Sequence, residues 1–259
     1  MQVSVFASGS SGNCLLLSGA GSSILIDAGI SMRRVSEGLA AAGHIWQDIG
    51  GVLITHEHSD HISGLSMILK YHPIPVYAPR TVANRLFGML PGIERCLHII
   101  PVGERFAVGS LAVTAFHTPH DTDESVGYRI QGDGVFAHAT DMGHVSEEVL
   151  EGLLGADTAL IEANHDEEML RYGPYPVYLK RRILSDRGHL SNADCASLAD
   201  RLAASGTRRI ILGHLSRENN RPEIALQTVR AALSGRDTEL YCAPVSGCLH
   251  VPVERGGLC

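Results

Sequence analysis

The segment from Thr55 to His61 concentrates metal-binding side chains more densely than any other stretch of this sequence. Three histidines and one aspartate fall within the six positions 56–61, in the order His-Glu-His-Ser-Asp-His. The apolar run at 51–54 is typical of a buried strand, and residues 62–71 are predicted to form a helix. The metal-binding groups therefore lie in the turn where a strand passes into a helix.

The spacing within this turn predicts two neighbouring metal positions. In an extended backbone, residues two apart point to the same side, so His56 and His58 can bind one ion together. Where the chain turns into the helix, Asp60 and His61 face a second position. Two ions about 3.5–4 Å apart are typical of enzymes that hydrolyse a substrate with activated water. A run of exposed histidines is the alternative, but this motif at a strand end favours metal.

Composition limits the class of protein. The chain has 259 residues, of which 44% are hydrophobic and only 5% aromatic, so it can bury a large and mostly aliphatic core. The formal net charge of −7 does not indicate a surface adapted to nucleic acid. A pair of divalent cations would nevertheless supply local positive charge.

The N-terminal residues contain neither a basic region nor a long apolar region, and the sequence has no apolar run of 18 or more residues. We therefore expect a cytoplasmic protein without a membrane partner. The six cysteines form no Cys-x-x-Cys pair, which favours reduced and mostly buried thiols.

Apolar runs and capping residues predict the elements that position the metal loop. Strands are predicted at residues 3–7, 14–18, 22–27, 51–54, 75–78, 111–116, 126–131, 135–139, 158–162 and 208–212, with one or two edge strands after Glu239. Helices are predicted at residues 31–42, 62–71, 81–90, 146–154, 193–205 and 222–233. Polar side chains follow several of these strands, and by their residue types either His117 or His120 could reach a metal.

The motif at 55–61 and the order of the polar groups after it resemble the metallo-β-lactamase superfamily over the whole chain. The resemblance implies an α/β fold, namely a four-layer αβ/βα sandwich in which helices flank two mixed sheets. It also implies a single domain spanning residues 1–259, with the metal site at the edge between the sheets. It does not imply a lactamase, because this superfamily hydrolyses several substrate classes on one scaffold.

The same resemblance implies the set of ligands. It favours His120 as a ligand and leaves His117 to packing or to supporting the ligands. It also makes Asp141 the carboxylate that touches both ions and assigns Asp27 to bracing the metal loop. The implied sets are His56, His58 and His120 for one ion, Asp60, His61 and His214 for the other, and Asp141 between them. Imidazole and carboxylate ligands suit two divalent ions, Zn²⁺ or Mn²⁺, and we expect no organic cofactor.

His189 and the basic residues before it indicate the class of substrate. Phosphodiesterases of the superfamily carry a histidine in a similar interval, where it serves as the general acid, and Asp60 could orient the attacking water. Four cations, Lys180, Arg181, Arg182 and Arg187, fall within eight positions and could neutralise phosphates. The alternatives are a histidine without chemistry and a solvated helix face.

A narrower resemblance is to the YycJ/WalJ/VicX branch of the superfamily. It rests on Ser-Gly-Ser-Ser-Gly-Asn at 8–13, Asn-His-Asp at 164–166, Gly-x-Tyr-Pro at 173–176, Lys-Arg-Arg-Ile at 180–183, Gly-His-Leu-Ser-Asn at 188–192 and Leu-Gly-His-Leu-Ser at 212–216. The branch implies a metal-dependent exonuclease that degrades duplex DNA from the 5′ end, with a part in mismatch repair. Candidate substrate contacts are Ser10, Ser11 and Asn13 at the rim of the site, and Arg182. Asn164 and His165 are expected near the site, either supporting the ligands or contacting phosphate.

Three other functions remain open. A thioesterase or lactonase similar to glyoxalase II would use the same metals without a general acid. A tRNA-processing ribonuclease would carry a long insertion before Asp141, whereas only twenty residues separate His120 from Asp141. A non-enzymatic signalling scaffold would not need all seven ligand positions to be filled. The oligomeric state does not follow from the sequence.

Overall fold

The chain alternates between strands and short helices in the computed structural model, which describes residues 1–254. The strands are β1 (Gln2–Ala7), β2 (Cys14–Gly19), β3 (Ser22–Ile26), β4 (Ile49–Leu53), β5 (Val76–Pro79), β6 (Leu97–Ile100), β7 (Arg105–Val108), β8 (Leu111–His117), β9 (Val126–Gln131), β10 (Val135–Ala139), β11 (Thr158–Glu162), β12 (Arg209–Gly213), β13 (Glu239–Cys242) and β14 (Leu249–Pro252).

The helices lie between these strands and after them. They are α1 (Met32–Ala41), α2 (Ser59–Ile62), α3 (Leu65–Tyr71), α4 (Arg80–Met89), α5 (Glu147–Leu153), α6 (Glu167–Tyr172), α7 (Val177–Ile183), α8 (Asn192–Ala204) and α9 (Pro222–Ala232), with 3₁₀ turns at Trp46–Asp48 and Ile93–Arg95. None of the helices within residues 1–254 is long and apolar enough to cross a membrane.

The strands form two seven-stranded mixed sheets that follow one plan. Their orders are β14-β1-β2-β3-β4-β5-β6 and β13-β12-β11-β10-β9-β8-β7. In the first sheet β3 to β6 are parallel, and in the second β10 to β13 are parallel, while the hairpin strands are antiparallel. The C-terminal segment adds β13 and β14 as the outermost strand of each sheet, which confirms the predicted edge strands.

Apolar side chains fill three layers because both faces of the strands are buried. In β2, Leu17 packs between the two sheets, whereas its neighbour Leu16 packs beneath the helices of the first half. In β11, Leu160 lies between the sheets and Ile161 packs beneath the helices of the second half. Consecutive residues of a strand point to opposite faces, so these strands are apolar throughout. This confirms the four-layer αβ/βα sandwich; that it forms one domain stays a prediction.

The helix predicted at residues 62–71 is divided in two. The chain forms α2 from Ser59, bends at Gly64, and continues as α3. The Gly64 N–H donates to Ala28 O at 2.8 Å, and a Cβ on Gly64 would lie 1.9 Å from Ile30 O. The prediction of one continuous helix was wrong because this close contact between two loops interrupts it.

Two strands were not predicted from the sequence, and the reason is the same for both. β6 and β7 are four-residue strands at the free edges of the two sheets, so parts of both are exposed. Short edge strands bury few side chains and therefore show little apolar periodicity.

The cysteines agree in part with the expectation. The five described ones are free, and Cys14 and Cys195 are buried, but Cys96, Cys242 and Cys248 are only partly buried. The prediction of mostly buried thiols was therefore wrong for these three, and Cys259 lies outside the described residues.

His138 on β10 should make stability depend on pH. It is 4% exposed, and burial lowers its pKa to about 4. Between pH 6.5 and 4 the unfolded chain binds a proton that the folded chain excludes, so stability present at neutral pH is lost on acidification. We expect His138→Leu to remove on the order of 3 kcal/mol of this loss. Urea denaturation across that range tests this, with the exposed His98→Leu as control; parallel curves for wild type and His138→Leu would contradict it.

Candidate metal centre

Seven side chains meet where the ends of strands from the two sheets come together. The first sheet contributes the loop after β4 and the start of α2, and the second contributes the residues that follow β8, β10 and β12. These are all the positions predicted as ligands, namely His56, His58, Asp60, His61, His120, Asp141 and His214. The structure therefore brings together groups that are up to 158 positions apart in the chain.

The seven groups are arranged as two sets around Asp141. The donor atoms of His56, His58 and His120 lie within 4.8 Å of one another, and so do those of Asp60, His61 and His214. Asp141 Oδ2 lies 3.3 Å from His61 Nε2, while Asp141 Oδ1 lies 3.4 Å from His214 Nε2 and 3.9 Å from His120 Nε2. One carboxylate thus faces ligands of both predicted positions.

The donor set fits divalent metal. His56 Nε2 and Asp141 Oδ2 are buried and have no hydrogen-bond partner among residues 1–254. Unpaired buried polar atoms are costly, and most of them in native structures have a partner. Imidazole nitrogen and carboxylate oxygen are both ligands of Zn²⁺ and Mn²⁺. A cation between these atoms would supply the missing interaction.

The electrostatics of the site also favour a cation. Burial alone would lower the pKa of His214, but the charge of Asp141 and hydrogen bonds to Asp60 and Glu162 raise it to about 10. Burial likewise opposes a charge on His61, yet Asp27 and Asp141 raise the pKa of His61 well above its usual range. The negative potential that retains protons on these rings would equally attract a divalent ion, whose binding releases those protons.

Asp27 holds the metal loop in place, as its resemblance-based role implied. It is 1% exposed, and its Oδ1 accepts a hydrogen bond from the Thr55 N–H at 2.9 Å. Its Oδ2 lies 2.8 Å from His61 Nδ1. A carboxylate on one ring nitrogen fixes the tautomer and directs the other nitrogen towards the metal position.

Three residues of the centre have strained backbone. Asp27, Asp141 and His214 have φ values of 59°, 58° and 54°, in the left-handed region that side chains other than glycine rarely adopt. Ala20 is the one other non-glycine residue with positive φ among those described. Each such residue costs on the order of 1–3 kcal/mol and persists because its surroundings hold it there. The Ser8 hydroxyl, for example, accepts a 2.8 Å hydrogen bond from His214 N.

Glu162, the last residue of β11, is a part of the centre that sequence reasoning missed. It is fully buried, with Oε1 at 2.7 Å from His189 Nδ1 and 3.1 Å from His214 Nδ1. Burial opposes its ionisation, but His189 and His214 hold the pKa of Glu162 at about 2. The sequence feature that could have revealed Glu162 is a charged residue at the end of an otherwise apolar strand.

The loop at 8–13 divides into an inner and an outer part. Asn13 is buried, with Nδ2 at 3.0 Å from His61 Nε2 and 3.4 Å from Asp60 Oδ2. It therefore contacts predicted ligands directly rather than lying at the rim. Ser10 and Ser11 are exposed, and the Ser11 hydroxyl accepts a hydrogen bond from Arg217 at 2.8 Å. That these two serines lie at the rim of the site stays a prediction.

Asn164 and His165 support the centre from inside. Asn164 Nδ2 donates to His214 O at 2.9 Å, and both residues are no more than 5% exposed. Such burial favours support of the backbone over the phosphate contact that was the other predicted role.

The side chains of Arg182 and His117 do not lie as the sequence predicted. Arg182 is paired with Asp121, so its charge is compensated within the protein. His117, predicted to pack or to support the ligands, has a 52% exposed side chain that lies 3.0 Å from Glu148 Oε1. That prediction was wrong, since β8 turns its last residue outwards, and His120 reaches the centre instead.

Comparison with known proteins agrees with this architecture. Residues 22–215 match the model of the beta-lactamase superfamily domain. The chain belongs to the beta-lactamase superfamily. It is 38% identical over 240 residues to the exodeoxyribonuclease WalJ of Streptococcus pneumoniae, covering 90% of this chain and 88% of WalJ. It is also 38% identical over 237 residues to the exodeoxyribonuclease YycJ of Bacillus anthracis, covering 90% of this chain and 89% of YycJ.

A solved structure supports the fold alone. The metallo-beta-lactamase fold protein YhfI of Bacillus subtilis superposes with a TM-score of 0.70 at 16% identity, covering 96% of this chain and 99% of YhfI. The sequence relatives place the chain in the YycJ/WalJ branch, and the protein is a metal-dependent hydrolase.

Replacing Asp27 by Asn should weaken metal binding. Asparagine tolerates the left-handed backbone at this position but cannot hold His61 with a charge, and loss of such a partner weakens metal affinity about 10–100-fold. Calorimetric titration of metal-stripped protein with Zn²⁺ or Mn²⁺ measures this directly. The exposed Asp237→Asn variant is the control. Equal affinities of Asp27→Asn and wild type would show that the brace has no effect on the metal.

Proposed function

We propose that this protein is a phosphodiesterase with two divalent metal ions, Zn²⁺ or Mn²⁺, that degrades duplex DNA from the 5′ end. The two sets of donors that share Asp141 support a pair of ions. The two relatives named exodeoxyribonucleases, which match over 88% and 89% of their own length, support a DNA substrate. The substrate, the 5′→3′ polarity and a part in mismatch repair come from the resemblance to this branch.

The placement of His189 is the observation that favours a phosphodiesterase over a thioesterase. Its ring centroid lies 5.3 Å from those of His120 and His214, and its side chain is 20% exposed. Nδ1 faces Glu162, while Nε2 makes no hydrogen bond to any described residue. An alkoxide leaving from phosphorus needs a proton, whereas a thiolate does not, and a histidine beside the ligands can donate one.

The charge on Glu162 prepares His189 for this role. Burial opposes a charge on the ring, but Glu162 raises the pKa of His189 and so favours the protonated form. Because Nδ1 is held by the carboxylate, the proton available to a substrate is the one on Nε2. Glu162 therefore acts through His189 as a positioning residue.

The ions, Asp60 and His189 would each have a separate role in the reaction. When bound, the two ions would stabilise charge on the phosphate and lower the pKa of a water molecule. Asp60 Oδ2 lies 3.5 Å from His214 Nε2 and 3.6 Å from His61 Nε2, at the second position, where it would orient the attacking water. His189 would then protonate the leaving oxygen from the side of Asp141.

His189→Ala should abolish most of the DNA cleavage without loss of metal. Removing a general acid costs about 10²–10⁴-fold in rate. Release of label from a linear duplex labelled at its 5′ end, with Mn²⁺ present, measures the rate, and metal content is measured on the same samples. His144→Ala, which removes an exposed histidine, is the control. Unchanged release by His189→Ala would contradict the proposed acid and favour a thioesterase or lactonase.

Removal of metal should affect both activity and stability. Chelation should stop release of the 5′ label, and added Mn²⁺ or Zn²⁺ should restore it. Each ion would join ligands from both sheets, so it would bind the folded chain and not the unfolded one. Metal at about 100 times its Kd should therefore raise the free energy of unfolding by about 2.7 kcal/mol per site. Thermal denaturation with and without metal tests this second effect. A metal-loaded protein that releases no label would exclude a duplex exonuclease, and RNA, thioesters and lactones would then be the substrates to test.

A further inference from the structure

Residues 166–189, which we call the arm, leave the metal centre and return to it. The arm starts just after Glu162 and ends at His189, which contact each other. Its base is closed by two backbone hydrogen bonds, from Asn164 N to Leu190 O at 2.9 Å and from Asn192 N to His165 O at 2.8 Å. The base of the arm therefore lies at the proposed active site.

The arm is a fixed hairpin of the two short helices α6 and α7. The Asp166 side chain caps α6 by accepting a 2.9 Å hydrogen bond from Met169 N. Lys180 on α7 donates to the carbonyl oxygens of Arg171 and Gly173, both at 2.8 Å, at the end of α6. These contacts tie the helices together, so the arm can present a defined surface.

The arm exposes several large apolar side chains. Tyr172, Tyr178, Val177 and Leu184 are 80%, 74%, 64% and 59% exposed. These are four of the ten large hydrophobic side chains that are exposed within residues 1–254, and they fall within thirteen positions. Single exposed apolar residues are ordinary, whereas a concentration of them is typical of an interaction surface.

Most of the arm is basic on an acidic protein. Residues 169–189 contain five basic side chains and one acidic side chain, whereas Asp166, Glu167 and Glu168 at the start of the arm lower the net charge of residues 166–189 to +1; the whole chain carries −7. Lys180 and Arg182 are engaged in the contacts described above, and Arg187 donates to the backbone oxygen of His120 at 2.6 Å. Arg171 and Arg181 are exposed and make no side-chain polar contact with any described residue. Both are thus available to an anionic partner.

Aromatic rings and free guanidinium groups together match a nucleic-acid strand. Unpaired bases stack on aromatic side chains, and arginine neutralises the phosphates between them. A second copy of this chain fits less well, because a symmetric contact would bring the same positive charges against each other. The two unpaired arginines and the attachment of the arm at the metal centre therefore favour DNA as the occupant.

We propose that the arm binds the unpaired end of a DNA strand, with Tyr172 and Tyr178 stacking on bases and Arg171 and Arg181 contacting phosphates. This inference rests on the proposed function and extends it, because it says which form of DNA end the enzyme takes. A duplex with a short single-stranded 5′ tail, or with a frayed end, is then bound more tightly than a blunt duplex.

The aromatic part is tested by DNA affinity. Fluorescence anisotropy without divalent metal compares tailed and blunt duplexes, since DNA is then bound but not cut. Tyr172→Ala and Tyr178→Ala are expected to weaken binding of the tailed duplex about tenfold or more for each stacked base, and to leave blunt duplex little changed. Tyr172→Phe and Tyr178→Phe keep the rings and the affinity. Tyr71→Ala, at a tyrosine that is 58% exposed elsewhere, is the matched control.

The basic part is tested by the dependence on salt. Each phosphate contact to a single strand contributes about 0.7 to the slope of log K against log salt concentration. Arg171→Gln and Arg181→Gln are each expected to reduce this slope by about that amount on tailed DNA. Arg230→Gln, at an exposed arginine on α9, is expected to leave it unchanged.

Hydrolysis of bis(p-nitrophenyl) phosphate, which needs the metal centre alone, separates this proposal from the proposed function. All the arm variants are expected to retain it and the wild-type melting temperature while losing cleavage of tailed DNA. Arm variants that bind tailed DNA as tightly as wild type overturn the proposal. So does a change in sedimentation with unchanged DNA affinity, which would make the surface a self-association interface. A wild-type protein that neither binds nor cleaves DNA contradicts the proposed function itself, and the arm proposal with it.

Discussion

The centre of this protein depends on one constraint, which is that ionisable side chains buried between two sheets have to satisfy one another. Asp141, His61 and His214 are each no more than 2% exposed, so water cannot stabilise their charges. Removing one partner from such a group leaves another buried charge uncompensated. The arrangement therefore requires that every strand end be in place, and this explains why ligands and their supports come from both halves of the sandwich.

The support for the ligands is as specific as the ligands themselves. Asp27 directs His61, and Glu162 is shared between His189 and His214. The left-handed backbone at Asp27, Asp141 and His214 shows that the surrounding structure imposes a conformation that these residues would not adopt alone. Strain of this kind is common at functional sites because chemistry constrains the direction of a side chain more tightly than folding does.

Sequence reasoning succeeded where the signal was local and failed where it depended on distant partners. The loop at 56–61 could be interpreted directly, because its spacing alone places ligands on one side of a turn. The sandwich and the predicted roles of His120, Asp141 and His214 needed the resemblance, since each of these residues follows a different strand. Glu162 was missed because nothing nearby in the sequence indicates that β11 lies between β10 and β12. Arg182 was expected to face substrate, but its partner Asp121 lies 61 positions earlier, and no local pattern reveals that pair.

The closed base of the arm has a consequence for how this fold can diversify. The two hydrogen bonds that close it join backbone groups of Asn164, Leu190, His165 and Asn192, and backbone groups are the same in every sequence. The two hydrogen bonds at the base therefore do not depend on the length or the surface of the segment between them, although Arg182, Arg187 and His189 within that segment contact the centre. An engineer could exchange only the outer part of the arm, residues 167–181, for another hairpin, because His189 and the residues that contact Asp121 and His120 would then be kept.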